Sequence, residues 1–255
     1  MTEVARPGPS WDRRLRGGYD QEAKRYDEKR YQSAEGRLFS ELELAVIRSS
    51  LGELQGLRVL DVPAGTGRIA IGLAQMGARV CGGDISKNML MAAAAKAKHA
   101  GAHQAQFAQV NAVHLPFADD TFDAVMSFKF FHLIPNEVKP VILREMTRVL
   151  KPGRKLIAEF NSPFYGGVLA FLRYYFRKAQ PGGMRMKCIF PDQVPALFAG
   201  LKITRRYGVK LPLSGLLGSV LGRGIVESAN AFVGSLPGVR YLCYAIIIEA
   251  EKPRR

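Results

Sequence analysis

Apolar positions recur along the chain with two different periods, and the alternation between them predicts an architecture. Leu38, Leu42, Ala45 and Val46 fall on one face of a helix predicted over Gly36–Ser50, with Glu41 and Arg48 outside that face. Another helix is predicted over Gln21–Tyr31. After Gly56, the run Leu57–Val62 is short, unbroken and apolar, as a buried strand requires; Gly65, Gly67 and a helix over Ile69–Met76 closed by Gly77 follow. A strand over Arg79–Cys81 ends at Gly82-Gly83-Asp84, and Lys87–His99 is an alanine-rich helix of high propensity. Strands over Gln106–Val110 and Phe122–Ser127, a helix over Asn136–Leu150 stopped by Lys151-Pro152-Gly153, and a strand over Leu156–Phe160 continue the series. Five strands alternating with helices predict βαβ units in a parallel sheet covered on both faces, with Lys202–Gly208 and Tyr241–Glu251 as its closing pair.

The two ends of the chain read differently. Residues 1–18 are polar, carry Pro7, Pro9, Gly17 and Gly18, and are expected to form a loose tail rather than a signal peptide. The remaining 19–255 have the length of a single domain. Tyr165–Lys178 predicts an amphipathic helix in which aromatic and basic residues mix, and 209–240 is apolar but rich in Gly and Pro. The net charge of +15 is concentrated: residues 139–226 hold sixteen Lys and Arg against Glu145, Glu159 and Asp192. Such a field attracts anionic partners, namely phospholipid surfaces, nucleic acid or acidic small molecules. Cys81, Cys188 and Cys243 are scattered and read as buried small hydrophobes in a reducing cytoplasm. No run is long and apolar enough for a membrane span.

The chemistry concentrates in Val59-Leu60-Asp61-Val62-Pro63-Ala64-Gly65-Thr66-Gly67-Arg68. Glycines after a first strand let backbone approach a ligand in the crevice of a doubly wound sheet. A dinucleotide fingerprint needs glycine where Pro63 and Arg68 stand. The segment resembles the first motif of the class I S-adenosylmethionine-dependent methyltransferases. Asp84, 23 residues beyond Asp61, stands where that family places an acid for the ribose hydroxyls. Asn111-Ala112-Val113-His114-Leu115-Pro116-Phe117 resembles the family's third motif with Asn111 in place of its usual acid, and Phe122-Asp123-Ala124-Val125 and Arg148–Gly153 match later ones. Tyr19-Asp20-x-x-Ala23-x-x-Tyr26-Asp27 is similar to the cofactor-capping helix of the branch related to ubiquinone and menaquinone methyltransferases.

The resemblance covers about 19–160 and implies an α/β, Rossmann-like doubly wound sheet of seven strands, mostly parallel with a closing antiparallel strand. It implies S-adenosylmethionine as cofactor, held by Asp61, Ala64, Gly65, Gly67, Asp84, Ile85, Met89, Asn111, Ala112 and Phe128. Methyl transfer from a sulfonium is a direct displacement that needs alignment and exclusion of water, and no metal. Where a general base is needed, His132 beyond the fourth strand is the candidate, with Tyr19 and Tyr26 in the acceptor pocket. Lys129, unusual among aromatics, either meets an anionic acceptor or extends its head to solvent.

The acceptor is less legible. No Asn/Asp-Pro-Pro-aromatic element follows the fourth strand, and no cysteine suits attack on cytosine. The expectation is a small or lipid-like hydrophobic acceptor covered by 165–187 and 209–240, in a cytoplasmic protein. The basic 165–187 segment packs on the domain, touches an anionic membrane face or grips RNA. An RNA methyltransferase and a non-catalytic cofactor-binding protein stay open as alternatives.

Overall fold

A computed structural model describes residues 10–162, 191–210 and 239–254, together with 164, 188, 232, 234 and 236. Seven strands, β1 (Arg58–Asp61), β2 (Arg79–Asp84), β3 (Ala105–Gln109), β4 (Phe122–Ser127), β5 (Leu150–Asn161), β6 (Lys202–Val209) and β7 (Ala245–Glu251), form one sheet. Their order is β3-β2-β1-β4-β5-β7-β6. Strands β1 to β5 run parallel, and β7 runs antiparallel to both β5 and β6. This is the Rossmann-like doubly wound sheet of seven strands, with its single antiparallel strand.

Helices α1 (Ser10–Glu22), α2 (Tyr26–Tyr31), α3 (Ala34–Leu51), α4 (Arg68–Gln75), α5 (Lys87–His99), α6 (Lys139–Val149) and α7 (Gln193–Leu197) surround the sheet. Successive strand residues face opposite layers. Leu60, Val125, Leu156 and Ile248 pack in one layer with Ile142 and Met146 of α6. Val59, Ala124, Met126 and Ile157 pack in the other with Leu38, Leu42 and Ile47 of α3 and Leu73 of α4. Burial on both faces is why these strands read as continuous apolar runs rather than alternating ones. Strand order reverses at β1, which has β2 on one side and β4 on the other, so a crevice opens at their carboxyl ends.

Several expected boundaries shift. The N-terminal region expected as a tail to residue 18 is helical from Ser10. Its Trp11, Leu15 and Tyr19, spaced by four, put apolar groups on one face of an otherwise charged helix, and Leu15 is buried. Strand β5 begins at Leu150, and β7 begins at Ala245 after a 3-10 turn over Val239–Leu242. Helix α6 starts at Lys139, with Pro140 in its first turn where a missing N–H is harmless. The 165–187 segment and most of 209–240 lie outside the described residues. Among the described residues no helix is long and apolar enough to cross a membrane.

Candidate functional site

The carboxyl ends of β1, β2 and β4 open into a cleft. Its first wall is the loop after β1. The Val62–Pro63 bond is cis, Val62 N–H donates to the Met126 carbonyl at 3.0 Å, and Ala64 N–H donates to the Gly83 carbonyl at 2.8 Å, so the loop is tied to both neighbouring strands. Gly65 and Gly67 then take left-handed φ of 54° and 80°. Gly65 lines the cleft, whereas Gly67 is not among its lining residues. A Cβ on Gly67 would stand 2.9 Å from Ala93 Cβ and 3.0 Å from the Phe107 ring, so this glycine lets α4 approach α5 and β3. Replacing Gly67 by valine is expected to destabilise the fold by about 2–4 kcal/mol through overpacking and a strained φ, measured by urea unfolding.

Two carboxylates face the cleft from adjacent strand ends. Asp61 is buried, and among the described residues its Oδ1 has no hydrogen-bond partner. Burial pushes its pKa up to about 7 against the attraction of Arg68. Asp84 accepts from Gly65 N–H and Ser86 N–H, both at 2.9 Å, and burial raises its pKa as well. Ser86, rather than Asp84, caps α5 by accepting from Met89 N–H at 3.1 Å. Asp84 thus remains turned to the cleft beside Ile85 and Met89.

The N-terminal helices form the opposite wall. Asp20 accepts from Ser86 Oγ–H at 2.5 Å and from Asn88 N–H at 3.3 Å. Asp27 accepts from Thr66 Oγ–H at 2.6 Å and pairs with Lys96. These contacts hold Tyr19, Tyr26 and Tyr31 along the cleft, with ring centroids 6.0 and 6.2 Å apart in sequence. Burial raises all three phenol pKa values. An adjoining cleft is lined by Trp11, Leu15, Ile85, Asn111, Ala112 and Phe130. Asn111 Oδ1 accepts from Val113 N–H at 3.2 Å, which fixes the side chain and keeps one lone pair free to accept.

Arg68, Lys129 and Phe128 also line the main cleft. Arg68 donates to Ser40 Oγ at 2.7 Å, pairs with Glu43 and lies 4.7 Å from the Tyr31 ring centroid. The Lys129 head is held by two carboxylates: its Nζ is 3.0 Å from both Glu43 and Glu159. His132 is half-buried and is not among the residues lining either cleft. Burial, then the charge of Lys129, lowers its pKa to about 4.

The structure therefore brings together Asp61, Ala64, Gly65, Asp84, Ile85, Met89, Phe128, Tyr19 and Tyr26, with Asn111 and Ala112 next door, and leaves Gly67 and His132 outside the lining. Sequence reasoning missed Trp11, Leu15, Tyr31, Glu43 and Glu159. The four-residue spacing of Trp11, Leu15 and Tyr19 was a usable signal, as was Glu43, an acid four positions from the core residues Phe39 and Ile47 of α3.

Residues 59–153 match a family model described as a methyltransferase domain. The demethylmenaquinone methyltransferase of Corynebacterium urealyticum is 39% identical over 148 residues, covering 57% of this chain and 60% of that protein. The demethylmenaquinone methyltransferase of Bacillus velezensis is 35% identical over 131 residues, covering 50% and 55%. The chain thus spans between about half and three-fifths of the length of these relatives. Magnesium protoporphyrin IX methyltransferase from Synechocystis PCC 6803, solved with S-adenosylhomocysteine bound, superposes with a TM-score of 0.67 at 18% identity, covering 94% of this chain and 99% of that one. The [4+2]-cyclase SpnF gives 0.68 at 20% identity, covering 96% and 97%. At such identities the likeness is one of fold, and one fold here carries different chemistries. The resemblance read from the motifs is borne out as far as a methyltransferase domain over residues 59–153 and a sequence likeness to proteins named demethylmenaquinone methyltransferase.

Proposed function

We propose that this protein uses S-adenosylmethionine to methylate a small or lipid-like hydrophobic acceptor of the quinone class. The observation that carries the reading is the pair of buried carboxylates at one cleft: Asp61, with an oxygen that no described residue satisfies, and Asp84, turned to the cleft because Ser86 caps α5. An orphaned buried carboxylate is costly unless a cationic or donor-bearing ligand completes it. The ammonium group of the cofactor would meet Asp61, and its ribose hydroxyls would donate to Asp84. Asn111 and Ala112, beneath Trp11 and Leu15, suit the adenine. When bound, the cofactor supplies an electrophilic methyl group on a sulfonium.

The chain's own part is alignment and exclusion of water. The Tyr19, Tyr26 and Tyr31 wall, with Phe128 and Phe130 in the same lining, is matched to a planar apolar acceptor. The quinone assignment is supported by the names of the sequence relatives. Because His132 lies outside the lining, the proposal gives it no part in deprotonating the acceptor.

Calorimetry with S-adenosylmethionine, followed by methyl-label transfer into a fractionated cell extract, tests the proposal. One-to-one binding and label in the lipid or small-molecule pool are expected. Label in RNA overturns the acceptor class, and absence of cofactor binding overturns the whole reading.

A further inference from the structure

The sheet carries a second groove, at the end opposite the cofactor cleft. Helices α4, α5 and α6 lie in the crossovers from β1 to β2, β2 to β3 and β4 to β5, but residues 110–121 join β3 to β4 without a helix. The α6 side of the sheet is therefore covered unevenly. Towards the carboxyl ends, Leu60, Val62 and Val110 are buried in one cluster with Leu115 and Ile142. Towards the amino ends, Arg58, Arg79 and Gln106 share that face by the two-residue period of a strand, and all three are exposed. With His103, Phe117 and Phe122 they line a groove that holds no acidic side chain among the described residues.

Arg58 and Arg79 are Cα partners at the starts of neighbouring parallel strands, which run about 4.8 Å apart. Like charges set side by side in a sheet repel and cost stability. Among the described residues neither guanidinium has a hydrogen-bond or ion-pair partner, and Arg58 Cζ lies 6.0 Å from the Phe122 ring centroid. The acids next to the groove are engaged by other cations. Asp123 accepts from the Arg58 backbone N–H at 3.0 Å, and its carboxylate is 3.0 Å from Lys151 and 3.5 Å from Arg154. Asp119 pairs with Arg148 at 2.8 Å and Asp120 with Lys252 at 2.6 Å. The charge of the groove is that of two guanidiniums, which stay ionised at any working pH.

We propose that this groove binds a nucleoside monophosphate whose phosphate bridges Arg58 and Arg79. A guanidinium presents a planar fork that matches phosphate oxygens. A phosphomonoester carries between about one and two negative charges at neutral pH, so one group answers both arginines. Its base rests on Phe117, which is half-buried and held edge-to-face on Phe122 with centroids 5.1 Å apart. The exposed amides of Gln104 and Gln106 each offer donors and an acceptor to the polar edge of that base. The linings of this groove and of the cofactor cleft share no residue, so the site stands apart from the methyl-transfer reading.

The test titrates the full chain with uridine monophosphate, uridine and inorganic phosphate, each with and without an excess of S-adenosylhomocysteine. The monophosphate is expected to bind at least about tenfold more tightly than either fragment, and equally well in both conditions. Arg58→Gln and Arg79→Gln should each weaken it by about tenfold or more. Both positions are exposed, so the variants should fold. Without ligand they should melt at or above the temperature of the natural protein, because the repulsion between the arginines is gone. Phe117→Leu should bring the monophosphate down to the affinity of inorganic phosphate and leave phosphate binding itself in place.

Uridine binding as tightly as its monophosphate overturns the inference, as does failure of the monophosphate to bind. Inorganic phosphate binding as tightly as the monophosphate overturns it too, leaving a bare anion site. Displacement of the monophosphate by S-adenosylhomocysteine would move it to the cofactor cleft and sink the second site. A single-stranded oligouridylate that binds far more tightly through the same arginines, with a steep salt dependence, would make the groove a nucleic-acid surface instead.

Discussion

Asp84→Ala should weaken S-adenosylmethionine binding by about 100- to 1,000-fold in calorimetry. Two hydrogen bonds from the ribose to a charged carboxylate are together worth about 3–5 kcal/mol, and each ~1.4 kcal/mol is a factor of ten. The same carboxylate holds Gly65 N–H and Ser86 N–H at 2.9 Å, so the alanine variant also loosens the glycine loop. Asp84→Asn separates the two effects, because its amide oxygen can keep one of those backbone bonds while losing charge and one acceptor. Its expected loss is about tenfold. Equal affinity of the natural protein and both variants would show that the ribose lies elsewhere.

The second large effect is a pH dependence centred on Asp61. Its carboxyl titrates near 3.8 when exposed and is pushed up to about 7 in the fold by burial, against the attraction of Arg68. A raised folded-state pKa means that the native state binds more protons than the unfolded one between those values. The contribution to stability is therefore full below about pH 4, declines as pH rises, and is lost above about pH 7. Cofactor-free protein should accordingly melt at a higher temperature at pH 6 than at pH 8. A shift of this size corresponds to at most about 4 kcal/mol.

The cofactor's ammonium group reverses the preference, since it pairs with the ionised form. Binding below pH 7 should then release close to one proton, detectable by calorimetry in buffers of different ionisation enthalpy. Affinity should fall up to tenfold per pH unit below 7. In Asp61→Asn the proton release should vanish, the cofactor-free protein should become more stable at pH 8, and affinity should drop about 100-fold. A variant that keeps the proton release would place the titrating group elsewhere.

How far the sequence reached can be judged from particular residues. Helix α5 and strand β4 were legible to the residue, because a propensity-rich run capped by Ser86 and an apolar run closed by a turn are local signals. Asp61 and Asp84 were legible because a fixed strand-loop spacing carries them to one crevice. Helix α1 was not, since its charged residues dominate the composition and only Trp11, Leu15 and Tyr19 mark its buried face. Lys129 was noticed, but its choice between solvent and an anion was left open. The fold gave a third answer, two carboxylates from α3 and β5.

By itself, then, the sequence determined the alternating layers, the glycine loop and the acids of the cofactor end, all of which depend on neighbours within a few positions or on one repeated unit. Tertiary structure decided which groups share a cleft. It brought Asp20 to Ser86 and Asp27 to Thr66, set Arg68 on Glu43, and left His132 outside the lining while Tyr31 entered it. Those pairings join elements dozens of residues apart, and no local period records them. They follow from how α2, α3 and the strand ends close around the one place where strand order reverses.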